Sequence, residues 1–250
     1  MRPSETTSVL SGYRVIELSS ERCALAGKLL ADMGAEVVVV EPPGGCTTRT
    51  WEPFAHDRPD KENGLHWWHY NTSKKSVVLD LDNEAEISKF RSLVLSADVV
   101  IEAEPLGRLD GLSADWKQLS RQNPELIWVS VTHHGRDGED PPSTDLTLLA
   151  EGGPVWSCGY EDHVLPPVRG GGKQGFHTAW HYAVPSILAA LIWREGSGTG
   201  QLIDVSMLGS LNATTEFATL WWLNEGRQVE RQTGRHAHPT PTEWTQIECA

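Results

Sequence analysis

Two adjacent histidines stand at a place where many α/β proteins carry out chemistry. His133 and His134 follow Leu126–Thr132, a β-branched run that predicts the last of a series of parallel strands. Open parallel sheets bind ligands in the crevice outside the carboxyl ends of their strands. An imidazole there could act as a general base, because its pKa lies near neutrality. A solvated loop histidine remains the alternative for both residues, and we keep His133 as a candidate catalytic residue.

A second histidine pair has the spacing of two zinc ligands. His177 and His181 are four residues apart, which would place both on one face of a helix. The helical zinc motif also needs a glutamate after the first histidine, but Thr178 stands there and no third ligand is evident. Two other close pairs carry no stronger signal: His66 with His69, and His236 with His238. The sequence therefore predicts no metal site.

Cations and glycines indicate possible contacts with anions. Arg22 follows the first predicted strand and could pair with a phosphate, although a surface charge at a helix end explains it equally well. The run Arg169–Lys173 could hold an anion through free backbone amides, and a flexible surface loop is the alternative. Residues 19–26 lack the glycines of a dinucleotide-binding turn, so a nicotinamide oxidoreductase is only a distant alternative.

Alternating strands and helices must position these residues. Through the first 135 residues, a β-branched run, a polar turn and an amphipathic stretch recur, which is the pattern of βαβ units. The predicted strands are Arg14–Leu18, Glu36–Glu41, Lys75–Leu81, Asp98–Glu102 and Leu126–Thr132. The predicted helices are Cys23–Met33, Glu84–Leu95 and Ala114–Arg121, and the predicted loop is Trp51–Tyr70. This order predicts an α/β fold: a doubly wound, largely parallel, Rossmann-like sheet with helices on both faces.

The rest of the chain is predicted to be mainly helical. The elements are a helix Ser143–Ala150, a helix His177–Arg194, a short extended segment Leu202–Val205, and a helix from about residue 206 to 224. We therefore divide the chain into a large α/β domain, residues 1–200, and a helical linker region, residues 201–250, that leads toward a smaller second domain. Trp244–Ala250 has the pattern of a strand that is only beginning, so we expect that second domain to be truncated.

Composition disfavours several classes of partner. The 250 residues include 34 acidic and 21 basic side chains, and the formal charge of −13 opposes nucleic-acid binding. No run approaches the roughly 20 apolar residues that span a bilayer. Met1–Leu10 lacks the layout of a secretory signal. The four cysteines lie far apart, as expected of a protein in a reducing cytoplasm.

Three sets of segments, in this order, carry a family resemblance. The first set is Leu10–Leu18 (LSGYRVIEL), Ala26–Val37 (AGKLLADMGAEV) and Val40–Gly45 (VEPPGG). The second is Asn71–Val77 (NTSKKSV) continuing through Asp80–Leu81, then Ala97–Glu102 (ADVVIE) and Asn123–Ile127 (NPELI). The third is Leu188–Leu191 (LAAL), Gly198–Gln201 (GTGQ) and Asp204–Met207 (DVSM). Together they resemble coenzyme A (CoA) transferase family III, which contains formyl-CoA, carnitine and bile-acid CoA transferases and the α-methylacyl-CoA racemases.

The resemblance covers nearly the whole chain and implies a chemistry. Known members continue beyond position 250 and have a two-domain subunit that threads through its partner in an interlocked dimer. In the transferases, an Asp carboxylate attacks the donor thioester to give a mixed anhydride. The freed CoA thiolate then forms an enzyme-bound thioester, and the acceptor acid reverses the steps. The resemblance thus implies acyl-CoA and a small carboxylic acid as substrates, with no permanently bound cofactor.

The sequence departs from the family at the nucleophile. Counting back from the LAAL segment, the catalytic Asp falls within Gly175–His177, where no carboxylate stands, and Phe176 cannot form an anhydride. The His and Asp that exchange the proton in the racemases correspond to Thr144 and the same Phe176, so a racemase is disfavoured. Asp145, next to Thr144, could substitute as nucleophile, and a helix N-cap is its alternative role. His177 could stand in beside the missing Asp. The candidate catalytic residues are therefore Asp145, His177 and His133.

The resemblance also assigns CoA contacts. The family's loop after the first strand corresponds to Ser19–Arg22, where Glu21 replaces the usual amide or small residue. Lys74 and Lys75 lie near the adenine end in the family's arrangement, and plain solvation is their alternative. The candidate CoA-binding residues are Ser20, Glu21, Arg22, Lys75 and Leu79.

The functional expectation is a CoA-transferase that moves CoA from an acyl-CoA thioester to a carboxylic acid. The missing Asp keeps an alternative open: a catalytically inactive family III chain that pairs with an active, homologous partner. A homodimer and a heterodimer are both compatible with these expectations.

Overall fold

The computed structural model describes residues 8–159, 166–229 and 235–236. Its strands are β1 (Arg14–Leu18), β2 (Glu36–Glu41), β3 (Lys75–Val78), β4 (Val99–Glu102), β5 (Ile127–Thr132), β6 (Cys158–Gly159), β7 (Leu202–Ser206) and β8 (Arg235–His236). Its α-helices are α1 (Ala24–Asp32), α2 (Leu65–Asn71), α3 (Glu84–Leu95), α4 (Arg108–Gly111), α5 (Trp116–Leu119), α6 (Asp145–Glu151), α7 (Pro154–Ser157), α8 (Gln174–Ser197), α9 (Met207–Thr214) and α10 (Glu216–Glu225). Two short 3-10 helices are Thr47–Thr50 and Ala55–Asp57. The predicted strand start at Trp244–Ala250 lies outside the described residues.

The main sheet has six parallel strands in the order β3-β2-β1-β4-β5-β7. The order reverses between β1 and β4, which is the topological switch point of a doubly wound fold. Alternate residues of the inner strands face opposite layers, because side chains on a strand point to the two faces in turn. Val15 and Val129 pack with α1 and α8, whereas Ile16 and Trp128 pack with α3 and α5. The predicted α/β fold with helices on both faces is therefore confirmed.

Several boundaries differ from the sequence-based prediction. The predicted loop Trp51–Tyr70 contains α2, whose Trp67 and Tyr70 are three residues apart and both buried. The predicted helix Ala114–Arg121 is only the four-residue α5. The predicted helix from 206 to 224 is two helices, because α9 ends before Thr215 and α10 begins after it.

The sheet extends beyond the predicted domain boundary at residue 200. β7 pairs with β5 over five residue pairs, from Trp128 with Leu202 to Thr132 with Ser206. The strand is therefore part of the large α/β layer, while the division into a domain and a linker region stays a prediction. No described helix combines the length and the apolarity that crossing a bilayer requires.

A buried ion pair lies at the centre of the sheet. The Lys74 Nζ lies 2.9 and 2.8 Å from the two carboxylate oxygens of Glu17 in β1, and both side chains are 1% exposed. The same Nζ donates to the Ala24 carbonyl and to Asn71 Oδ1. Burial raises the pKa of the Glu17 carboxyl, and the Lys74 charge acts against that rise. The pair fixes α1, the end of α2 and the start of β3 against β1.

Gly27 in α1 is the residue that makes room for this pair. A Cβ atom at this position would lie 1.6 Å from Glu17 Oε2. We expect Gly27→Ala to lower the free energy of unfolding by about 3 kcal/mol or more, because the methyl group must displace a buried, paired carboxylate. Urea unfolding followed by circular dichroism measures the change.

The matched control is Gly196→Ala in α8, where a Cβ would meet nothing within 4 Å. It should be neutral or stabilise the protein by less than about 1 kcal/mol, because alanine is the better helix former. Equal stability changes in the two variants would contradict the role given to Gly27.

Candidate functional site

Asp145 lies where the amino ends of two helices meet. It is the first residue of α6, and the cap of that helix is Thr144, whose side chain accepts from the backbone N–H of Thr147 in a capping box. The predicted alternative role of Asp145 as the cap is therefore wrong. Its Oδ1 instead accepts from the Gly175 N–H of α8 at 2.8 Å, and its Oδ2 lies 3.4 Å from Arg169 Nη1. Asp145 is 2% exposed, so its carboxylate holds the start of α8.

The position that the family resemblance gives to the nucleophile is a buried aromatic ring. Phe176 is 0% exposed and belongs to the core cluster that α1, α6 and α8 share with one face of the sheet. Its ring centroid lies 6.4 Å from that of Trp180. The Asp145 carboxylate accepts a hydrogen bond from the backbone N–H of Gly175, the residue before Phe176. Both oxygens of Asp145 are thus in contact with other groups, and its role as a substitute nucleophile stays a prediction.

His177 contacts α2 through its side chain. Its Nε2 lies 2.8 Å from the Tyr70 hydroxyl, and its ring centroid lies 5.0 Å from that of Trp180. Burial lowers the pKa of His177, with the neighbouring His181 as a smaller cause in the same direction. A neutral imidazole is therefore favoured. Sequence reasoning missed Tyr70, because nothing in the spacing of residues relates α2 to α8.

The loop after β1 lies beside the same helix start. Ser20 Oγ accepts from the Arg22 N–H at 3.1 Å, and Glu21 Oε2 lies 3.0 Å from Lys173 Nζ. The Arg22 guanidinium contacts Asp140 Oδ1 at 3.3 Å and Ser143 Oγ at 3.0 Å. Ser20, Glu21 and Arg22 thus lie at the carboxyl edge of the sheet, Arg22 already pairs with an acid, and their assignment as CoA contacts stays a prediction.

The predicted anion loop Arg169–Lys173 has both basic ends paired with acids. Arg169 contacts Asp145, and Lys173 contacts Glu21. The Lys173 Nζ also lies 4.6 Å from the ring centroid of Trp51. The loop therefore ties the residues after β1 to the start of α6.

Lys75 and Leu79 lie apart from this group. Lys75 begins β3, and its Nζ reaches back to Glu36 Oε1 at 2.6 Å, at the amino end of β2. The Lys75 side chain is 70% exposed. Leu79 follows β3 and is buried in the core cluster on the other face of the sheet. Their assignment as CoA contacts stays a prediction.

His133 lies in a second group of ionisable residues. His133 Nε2 lies 2.7 Å from Glu151 Oε2, and His134 Nε2 lies 2.8 Å from Glu151 Oε1. The Glu151 carboxylate raises the pKa of His134, and the two imidazoles lower the pKa of Glu151. These three residues are the ones that could hold a metal ion among the described residues, since their ligand atoms all lie within 4.8 Å of one another. Sequence analysis missed Glu151, which is at the far end of α6 from Asp145.

Asp140 connects the two groups. Its Oδ1 accepts from the His133 N–H at 2.9 Å and also faces the Arg22 guanidinium.

A separate cavity of about 550 Å³ is lined by Trp156, Trp222 and residues near the ends of α6 and α10, and no predicted site residue lines it. The candidate functional site is therefore the carboxyl edge of the sheet rather than this cavity.

Comparison with known proteins supports the resemblance. The sequence matches CoA-transferase family III over residues 10–246. It is 34% identical over 229 residues to the succinyl-CoA:(R)-benzylsuccinate CoA-transferase subunit BbsE of Thauera aromatica, covering 91% of this chain and 55% of that protein. It is 36% identical to a succinyl-CoA:mesaconate CoA-transferase of Haloarcula hispanica, covering 96% of this chain and 62% of that protein.

A solved structure is similar over the same extent. A CAIB/BAIF family protein from Brucella suis superposes with a TM-score of 0.83 at 30% identity, covering 90% of this chain and 60% of that one. The chain thus spans between 55% and 62% of the length of the relatives described here.

The contacts of Asp145 predict a stabilising role that can be measured. We expect Asp145→Ala to lower the free energy of unfolding by about 1–3 kcal/mol, because the buried Gly175 N–H loses its acceptor. Asp145→Asn should cost less, since an amide oxygen can still accept that hydrogen bond. Urea unfolding of both variants measures the difference.

Asp137→Ala is the control, because Asp137 is an exposed acid in the neighbouring loop. It should change stability by no more than about 0.5 kcal/mol. If Asp145→Ala behaves like this control, the carboxylate does not hold the start of α8.

Proposed function

The chain belongs to CoA-transferase family III, and on that premise we propose that it takes part in moving CoA from an acyl-CoA thioester to a carboxylic acid acceptor. The observation that carries the proposal is the family match across residues 10–246, on a six-stranded parallel sheet of the doubly wound type. The group at the carboxyl edge, which includes Ser20, Glu21, Arg22 and Asp145, is where such a sheet binds its ligand.

The names of the relatives guide the choice of substrates. Two of them are named for succinyl-CoA as donor, and a third, from Agrobacterium fabrum, is a succinate–glutarate CoA-transferase at 35% identity. We therefore propose succinyl-CoA as the first donor to test and dicarboxylic acids as the first acceptors. CoA and acyl-CoA act as substrates in this proposal.

The environment of Phe176 and Asp145 favours a second candidate function within the same reaction. Forming a mixed anhydride needs an ionised carboxylate that can reach the thioester carbon. Phe176 offers none, and the Asp145 carboxylate is buried against Gly175 and Arg169. We propose that this chain is the subunit without the nucleophile, and that a homologous chain with an Asp at the matching position supplies it.

A two-chain assembly agrees with other features. The Thauera relative is named as a subunit, and the family resemblance implies an interlocked dimer in which two chains build each site. The proposal therefore includes a cytoplasmic dimer, formed with a homologous chain, in which Arg22 and the loop after β1 contribute to binding of CoA. His177 and His133 would act by orienting neighbours, because the Nε2 of His177 already contacts Tyr70 and the Nε2 of His133 already contacts Glu151.

We expect CoA exchange only when this chain is combined with an Asp-carrying homologue. The test incubates each chain alone, and the co-expressed pair, with succinyl-CoA and a panel of mesaconate, glutarate and benzylsuccinate, and measures CoA thioesters by chromatography. In the pair, Asp145→Asn should retain activity close to wild type, whereas replacing the partner's Asp by Asn should abolish it.

Two outcomes would contradict the proposal at different levels. If this chain alone exchanges CoA and Asp145→Asn abolishes that exchange, Asp145 is the nucleophile. The proposal that a homologous partner supplies the nucleophile would then be wrong. Absence of exchange in every combination, together with no binding of CoA by calorimetry, would remove the CoA-transferase proposal itself.

A further inference from the structure

We propose that His133, His134 and Glu151 form a binding site for one divalent transition-metal ion, with Zn²⁺ as the preferred ion. The site lies where the end of β5 meets the end of α6, and its three ligand atoms are within 4.8 Å of one another. The inference does not depend on the proposed CoA transfer, because it rests on this cluster alone.

The ligand set is of the kind that zinc selects. Two imidazole nitrogens and one carboxylate oxygen form the three-ligand sites in which zinc keeps a fourth position for water or another ligand. Calcium and magnesium prefer oxygen ligands, so this nitrogen-rich set disfavours both ions. The mixed set of nitrogen and oxygen atoms is compatible with Zn²⁺, Co²⁺ or Ni²⁺.

The distances allow an ion to enter with a small movement. Ligand bonds of 2.0–2.2 Å in a tetrahedral site put the ligand atoms about 3.3–3.5 Å apart. At present Glu151 Oε2 lies 2.7 Å from His133 Nε2 and Glu151 Oε1 lies 2.8 Å from His134 Nε2, so the carboxylate must move back for one of its oxygens to share an ion with both nitrogens. The Glu151 side chain is 43% exposed at the end of α6, so it has room for this movement.

The His134 ring and the His133 backbone are already held by other contacts. His134 Nδ1 lies 2.8 Å from the Glu139 carbonyl oxygen, to which it donates, and this leaves Nε2 as the ligand atom. Such a hydrogen bond from the second ring nitrogen is the usual support of a metal-bound histidine. The backbone of His133 is held by Asp140 on its N–H and by Leu208 and Ser206 on its carbonyl.

His133 is a buried member of the cluster. Its side chain is 2% exposed, and its Nδ1 has no hydrogen-bond partner within the described part of the chain. A buried imidazole is thus aimed with its Nε2 at one carboxylate and is otherwise unsatisfied.

Metal binding would connect three elements of the carboxyl edge. His133 and His134 follow β5, Glu151 ends α6, and Asp140 links His133 to Arg22 in the loop after β1. An ion at this place would therefore fix the loop between β5 and α6 relative to the sheet. We assign it a positioning role and no step of CoA transfer.

The test uses ZnCl₂ as the only probe. The protein, in the assembly in which it purifies, is freed of metal by a chelator and titrated by calorimetry, and its thermal unfolding is followed with and without Zn²⁺. We expect one ion per chain and a rise in the unfolding temperature, because an ion that binds only the folded state stabilises it. Glu151→Gln and His134→Asn should each weaken binding by about 100-fold or more, since loss of a supporting residue alone costs 10–100-fold.

His56→Asn is the matched control. His56 is an exposed histidine outside the cluster with a φ of 57°, which asparagine tolerates well. Its binding should equal that of wild type. Absence of a stoichiometric ion in wild type, or equal affinity in the control and the two cluster variants, would overturn the proposal.

A second measurement keeps the proposal testable if the cluster variants fail to fold. Crystals of the wild-type protein soaked in ZnCl₂ should show an anomalous peak at the zinc edge between His133, His134 and Glu151. A peak only at other positions, or none, would overturn the assignment. Neither result bears on CoA exchange, so the two proposals can fail separately.

Discussion

The structure depends on a charged pair at the centre of its sheet. Placing Glu17 and Lys74 in the core removes two ions from water, a cost of several kcal/mol for each ion that only close geometry offsets. Here the geometry requires a strand, a helix that approaches without a side chain at Gly27, and the segment that precedes β3. These elements must therefore assemble together. The loop after β1, which carries Ser20, Glu21 and Arg22, begins two residues after Glu17 of this ion pair.

The sequence predicted the sheet well, because local patterns decide it. β-branched runs separated by amphipathic stretches identify strands and crossover helices, and β1 and β2 agree with their predicted bounds. The predictions failed where long-range packing decides the structure. Leu65–Asn71 is rich in Trp and His, which are average helix formers, and it is helical because Trp67 and Tyr70 reach the core.

The sequence suggested candidate site residues but not the contacts that each of them makes. Resemblance made Asp145 a candidate nucleophile, which stays a prediction, and the structure shows its carboxylate accepting from the Gly175 N–H. No pattern in the sequence relates Asp145 to Arg169, His177 to Tyr70 or His133 to Glu151, since each pair joins elements that only the tertiary fold brings together. The consequence is functional: groups that look available for chemistry in the sequence are occupied by structural contacts.

The position of β7 far after β5 in the sequence has a consequence for synthesis of the chain on the ribosome. All six residues of β5 are buried, yet β7, which covers the outer edge of β5, begins at Leu202, about 70 residues after Thr132. At 5–20 residues per second, the ribosome needs roughly 4–14 s to supply it. During that interval β5 is an exposed, apolar edge strand, which is the kind of edge on which nascent chains pair wrongly. Chaperone binding to the nascent chain would matter most in this window.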